Sequence, residues 1–249
     1  ESPRRWLDGR ATQWSQHARW ARYHSCQTMR IDSTPTESLP HALRWLPLEG
    51  LGLSFAQGAL FMLATLLWPP GVAVLLALCF GIWLSSARHE VGWMRWAART
   101  PGPADPIGLV GALAGGLMLL VKLEVLGGIE PDWLVASMIC AATASRALAV
   151  LVLAPGARAQ ALRVAALGAA PLIALTLWTL DAWPALFGTL SALTAAALAR
   201  RTIRRGSRPA GEAGLGAVQQ VCEVSMLLGM LVVVAAGNGA PSDLDLAPE

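Results

Sequence analysis

Residues 107–126 read IGLVGALAGGLMLLVKLEVL, with Lys122 and Glu124 as the only charged side chains in the stretch. A bilayer core about 30 Å thick takes ~20 mostly apolar residues per helix. The stretch therefore predicts a transmembrane helix, and six others come near its length: 50–68, 72–86, 133–153, 164–180, 183–199 and 215–236. Between them lie Trp68-Pro69-Pro70-Gly71, Thr100-Pro101-Gly102-Pro103, Gly127-Gly128, Ala154-Pro155-Gly156 and Asp181-Ala182-Trp183-Pro184, where helix hydrogen bonding has to stop. The expected fold is all-α, a polytopic bundle of about seven membrane helices. It divides into an Arg-rich segment over 1–45, a transmembrane domain over 46–236 and an acidic tail over 237–249.

Composition agrees with that division. The 249 residues are 55% apolar and 14% charged, against about 45–50% and about 25% for ordinary soluble domains. A soluble enzyme, a disordered tail and a coiled coil are excluded. Cys26, Cys79, Cys140 and Cys222 are widely separated and form no C-x-x-C, which removes a zinc ribbon or a redox pair. With Glu1 in place of Met, the chain is expected to be a processed or truncated form, and its polar first 45 residues hold no signal-peptide core.

The net charge of +3 reflects topology and not a nucleic-acid surface. Of 18 Arg, 17 fall in segments 1–49, 87–106, 154–163 and 200–214, which alternate along the chain. The intervening segments carry Glu130, Asp132, Asp181 and the tail residues Asp243, Asp245 and Glu249. Short translocated loops are poor in Lys and Arg, so the expected orientation is N-in, C-out, in a bacterial inner membrane.

Ionisable groups inside a span are costly and are usually paired or set on a cavity. Lys122, Arg146 and Glu223 qualify. Arg146 stands seven residues from the inner end of its stretch and Glu223 eight residues from Leu215, depths of ~10 and ~12 Å at about 1.5 Å per residue. That predicts an Arg146–Glu223 pair, either a fastener between helices or a functional charge. Lys122 and Glu124 lie near the outer end of their span, where long side chains snorkel to the headgroups.

Two basic loops add further groups. In 87–106, His89 and Glu90 are adjacent and point about 100° apart on a helix, poorly placed to chelate one metal, while Trp93 and Trp96 at i and i+3 suit a lipid-facing interfacial segment. In 200–214, Arg200, Arg201, Arg204, Arg205 and Arg208 stand with Gly206, Gly211 and Gly214, Gly216 following, at a helix start. Such a site suits phosphate, although the Arg also read as the topology signal alone.

Taken in order, these features resemble cobalamin synthase, the adenosylcobinamide-GDP ribazoletransferase family of integral membrane enzymes. Arg44-Trp45-Leu46-Pro47-Leu48-Glu49-Gly50-Leu51 resembles the family's R-[YW]-F-P-L-V-G-L at the first span. His89-Glu90-Val91-Gly92 stands where the family has H-x-D-G-L-A-D-x-x-D, and Ile107-Gly108-Leu109-Val110-Gly111 resembles the end of its D-S-R-x-G-x-x-G, with Lys122 beyond. Ser145-Arg146, followed by Ala157-Arg158, resembles the family's central Ser-Arg. Gly211-Glu212-Ala213-Gly214-Leu215-Gly216-Ala217, with Glu223 beyond, resembles T-G-D-x-L-G-A-x-x-E-x-x-E.

The departures fall on carboxylates. Val91, Arg95 and Ala98 occupy the family's three Asp positions, Ala104 and Pro106 stand at the Asp and Arg of the next motif beside Asp105, and Glu212 replaces Asp. The resemblance implies a Mg²⁺-dependent union of adenosylcobinamide-GDP, a corrinoid nucleotide, with α-ribazole to give adenosylcobalamin and GMP. It implies Glu90, Asp105 and Glu212 as metal ligands. Ser145, Arg146, Arg158, Gly211 and Gly216 would hold phosphate, and His89 would orient a carboxylate or act as base. The missing carboxylates equally fit an inactive member that binds corrinoid or serves as a scaffold. Arg146 and Glu223 on a translocation path would instead mark a small transporter, a function that the lack of symmetry between chain halves disfavours.

Overall fold

The computed structural model describes residues 41–98, 107–153, 158–179, 182–205 and 211–238, and every regular element among them is helical. The helices are α1 (His41–Arg44), α2 (Leu46–Ala64), α3 (Pro70–Leu84), α4 (Arg88–Ala97), α5 (Gly108–Gly127), α6 (Pro131–Leu153), α7 (Arg158–Thr179), α8 (Trp183–Arg204) and α9 (Gly211–Asn238). Pro47, Pro70 and Pro184 stand in the first turns of α2, α3 and α8, where the missing N–H costs no helical hydrogen bond.

Each of the seven apolar stretches falls, among the described residues, mainly on a helix. Among the described residues, α2, α5, α6 and residues Ala213–Val234 of α9 are long and apolar enough to cross a membrane. The bent pair of α3 and α4 makes a fifth if taken together. The other three stretches fall short for separate reasons. α3 has 15 residues, ~22 Å at about 1.5 Å each. The apolar part of α7 is Arg163–Ala174, interrupted by Pro171. α8 ends on Arg200, Arg201 and Arg204, which extend the helix instead of standing in a loop.

Packing is built on α6 and α9, the two most buried of the spanning helices. α6 packs on α2 and α7, and α9 packs on α4, α6 and α8. Phe55, Leu63, Leu109, Leu117 and Leu120 stay exposed on the outer faces of α2 and α5. So large an uncovered apolar surface suits lipid and not water.

One turn has no counterpart in the sequence punctuation. α4 leaves α3 at 88° through Ser86 (φ 53) and Ala87 (φ 54), two left-handed residues in succession with no glycine or proline between. Left-handed backbone costs a non-glycine residue roughly 1–2 kcal/mol. Here the Ala87 N–H donates to Ile82 O at 2.8 Å and the Ser85 hydroxyl to the same carbonyl at 3.2 Å, which hold the turn. It aims His89, two residues on, into the bundle.

Candidate functional site

A cavity of about 40 Å³ lies among α2, α3, α4, α5, α6 and α9, and its polar lining is Gln57, His89, Glu90, Lys122, Arg146, Gln219, Gln220 and Glu223. At ~10–15 Å³ per water it has room for roughly three waters and none for a nucleotide. The Lys122 ammonium donates to Glu223 Oε1 at 2.8 Å, the two side chains being 5% and 17% exposed. Gln220 Nε2 donates to Glu90 Oε1 at 3.1 Å. Arg146 is 2% exposed and donates through Nη1 to Ala142 O, in its own helix, at 2.9 Å.

The expected Arg146–Glu223 pair is therefore replaced by Lys122–Glu223, and Lys122 is a buried partner instead of a snorkelling anchor. The reason is register. α9 starts at Gly211, four residues before Leu215, so Glu223 is twelve residues into α9 and Lys122 fourteen into α5, depths of ~18 and ~21 Å at about 1.5 Å per residue. Glu124, two residues on from Lys122, does point outward.

Several buried polar atoms on this cavity have no partner: His89 Nε2, Glu90 Oε2, Arg146 Nε, Gln220 Oε1 and both amide atoms of Gln219. Buried polar groups are almost always hydrogen-bonded, so a concentration of exceptions marks a site that water, an ion or a substrate group completes. Gln219 and Gln220 are not among the residues that charge or motif single out, although two successive amides inside an apolar stretch are a visible signal.

Close helix approach brings these groups together. A Cβ on Gly50 would lie 2.6 Å from Arg146 Cδ and 2.7 Å from Ala142 O, so only glycine lets α2 cover the arginine. A Cβ on Gly216 would lie 2.8 Å from His89 O and 3.0 Å from Gly92 Cα, so α4 and α9 touch backbone to backbone. Gly216 is thereby covered by α4 and is not open to phosphate, contrary to expectation. At the start of α4, Arg88 pairs with Glu49 of α2 at 2.6 Å in a mostly exposed contact, of a kind worth about 0–1 kcal/mol.

Other expected residues lie elsewhere. Ser145 is fully buried off the cavity lining, its hydroxyl donating to Ala142 O at 3.2 Å, which leaves it nothing for phosphate. Gly211 (φ 75) opens α9. Arg158 opens α7, but its side chain, that of Glu212 and the whole of Asp105 lie outside the described residues. Trp93 is half-buried: its indole N–H donates to Ala114 O of α5 at 2.9 Å, and its ring stacks on Trp96 at 5.6 Å. Among the described residues no three His, Cys, Asp or Glu gather as a metal site.

The family model described as cobalamin-5-phosphate synthase matches residues 26–97, a segment that ends with α4 and includes His89 and Glu90. The adenosylcobinamide-GDP ribazoletransferase of Azorhizobium caulinodans is 32% identical over 217 residues, covering 75% of this chain and 82% of that protein. No solved structure gives a significant match.

Proposed function

Because the chain belongs to the cobalamin synthase family, a multi-pass membrane transferase of cobalamin biosynthesis, we propose that it joins adenosylcobinamide-GDP to α-ribazole, forming adenosylcobalamin and GMP. The 5′ oxygen of α-ribazole attacks the phosphorus on the cobinamide side. That O–P bond forms, the bond to the bridging oxygen breaks, and GMP leaves with the bridging oxygen. The hydroxyl proton passes to water in the cavity that His89 Nε2 and Glu90 Oε2 face. The observation that carries this proposal is the pair of partnerless atoms, His89 Nε2 and Glu90 Oε2, facing one cavity from the segment the family model matches.

The cavity is too small to hold the substrates, so they meet it at half-buried Glu90 beside exposed Arg88. Arg146, 2% exposed on the same cavity lining, sets its guanidinium beside these groups. Mg²⁺ is usually held by one or two carboxylates together with substrate phosphates and water. The free Glu90 oxygen fits that mode, Asp105 and Glu212 being the further ligands proposed. When bound, the ion would neutralise charge developing on the phosphoryl group. The proposed setting is the bacterial inner membrane, with the Arg-rich loops and α4 on the cytosolic side.

A second function, corrinoid binding without turnover, is favoured by Val91, Arg95 and Ala98 at the family's Asp positions. Complementation separates the two. A bacterial strain lacking its own cobalamin synthase, grown on cobinamide under cobalamin-dependent conditions, should be rescued by this chain and not by its Glu90→Gln variant. Membrane expression without growth would favour the binding function.

A further inference from the structure

A second concavity, of about 700 Å³, runs along the seam of α8 and α9, lined by Phe187, Leu190 and Leu198 of α8, Val221 and Leu228 of α9, and Trp96 of α4. That volume lies within the ~300–1,000 Å³ of small-molecule sites. Leu190 and Leu198 are 52% and 59% exposed, so the groove opens outward from the bundle, where the bilayer stands. At one end α8 and α9 close on each other: a Cβ on Gly229 would lie 2.6 Å from Phe187 O and 2.9 Å from Gly188 Cα. From Gly188 to Thr202 is fourteen residues, ~21 Å at about 1.5 Å per residue, against roughly 15 Å for one leaflet of a bilayer core about 30 Å thick.

Beyond its other end stand the arginines at the C-terminus of α8. The α8 stripe that lines the groove runs through positions 187, 191, 194 and 198, and the same three- and four-residue steps continue to Arg201 and Arg205. Both are exposed, and neither has an ion-pair partner among the described residues. We propose that this seam is a binding site for an anionic phospholipid, with one acyl chain in the groove and its phosphate on Arg201 and Arg205. Basic pockets at the ends of membrane helices bind anionic headgroups in this way, and the apolar slot leading from the two guanidiniums supplies what a free phosphate would not use. A second copy of the chain fits less well. A two-fold contact through this seam, with the axis along the membrane normal, would set the basic ends of two α8 helices side by side.

The test is native mass spectrometry of the full chain in detergent, titrated with phosphatidylglycerol and with phosphatidylcholine of identical acyl chains. Phosphatidylglycerol should bind at least tenfold more tightly. The double variant Arg201→Gln/Arg205→Gln should abolish that preference. Thr194→Trp, which fills the groove from an exposed position, should reduce phosphatidylglycerol binding with both arginines intact, and it carries the test should the double variant fail to fold. Equal affinity for the two lipids would overturn the proposal, as would a preference that survives Thr194→Trp. So would loss of phosphatidylglycerol binding to inorganic phosphate at equal concentration, the mark of a soluble-anion site, or a dimer that Thr194→Trp dissociates.

Discussion

At the level of single residues, the chain invests its scarce charge in one buried cluster. Lys122 and Glu223 are the clearest pair, and removing one partner of a buried ion pair costs roughly 3–5 kcal/mol because the other is left uncompensated. Lys122→Met should therefore lower stability by about that amount in a denaturant titration of the protein in detergent, and Lys122→Met/Glu223→Met should recover most of it. A double change that costs the sum of the two single changes would mean that the 2.8 Å contact contributes nothing. That these residues matter was legible in the sequence, since charge inside an apolar stretch is rarely idle. Their partners were not legible, because depth depends on where a helix begins. Four residues at the start of α9 moved Glu223 from the level of Arg146 to that of Lys122. Gln219 and Gln220 do not stand out in the sequence, because neutral amides leave no mark on a charge count.

Among the elements, the α3–α4 turn and the α4–α9 crossing place the cluster. The sequence marks breaks where Pro and Gly stand, and the helix ends near 68–71 and 127–128 follow that punctuation. It carries no sign of a right-angle turn through Ser86 and Ala87, which hydrogen bonds onto Ile82 O hold in place. Ala87→Gly should stabilise the protein by about 1 kcal/mol, the cost of a left-handed alanine, seen as a raised unfolding midpoint; an unchanged or lowered midpoint would show the turn to be unstrained. The Gly92–Gly216 contact makes a sharper demand. Gly216→Val would push α4 from α9, with an overpacking penalty of roughly 1–3 kcal/mol. Activity should fall more than stability does, because His89 and Glu90 move with α4. A variant that folds with unchanged turnover would detach α4 from the working site.

On the scale of the whole molecule, helical class and membrane residence were written in composition, and the family in the order of short motifs. The number of crossings was less legible, because α3, α7 and α8 are short, broken or Arg-ended, so length and hydropathy alone do not mark them as spans. The Arg distribution predicts odd crossings with the C-terminus outside. A C-terminal alkaline phosphatase fusion should be active and a C-terminal green fluorescent protein fusion dark; the reverse pair would require an even number. The central claim is that the cavity joining α4, α5, α6 and α9 serves phosphoryl transfer. The most direct measurement is GMP release by the full chain in liposomes supplied with adenosylcobinamide-GDP, α-ribazole and Mg²⁺. The account predicts GMP release that needs both substrates and falls about 100-fold or more in Glu90→Gln, within the ~10²–10⁴ range for loss of a group acting on proton transfer or charge in the transition state. Retained corrinoid binding with no GMP release, or release unchanged by Glu90→Gln, would contradict it.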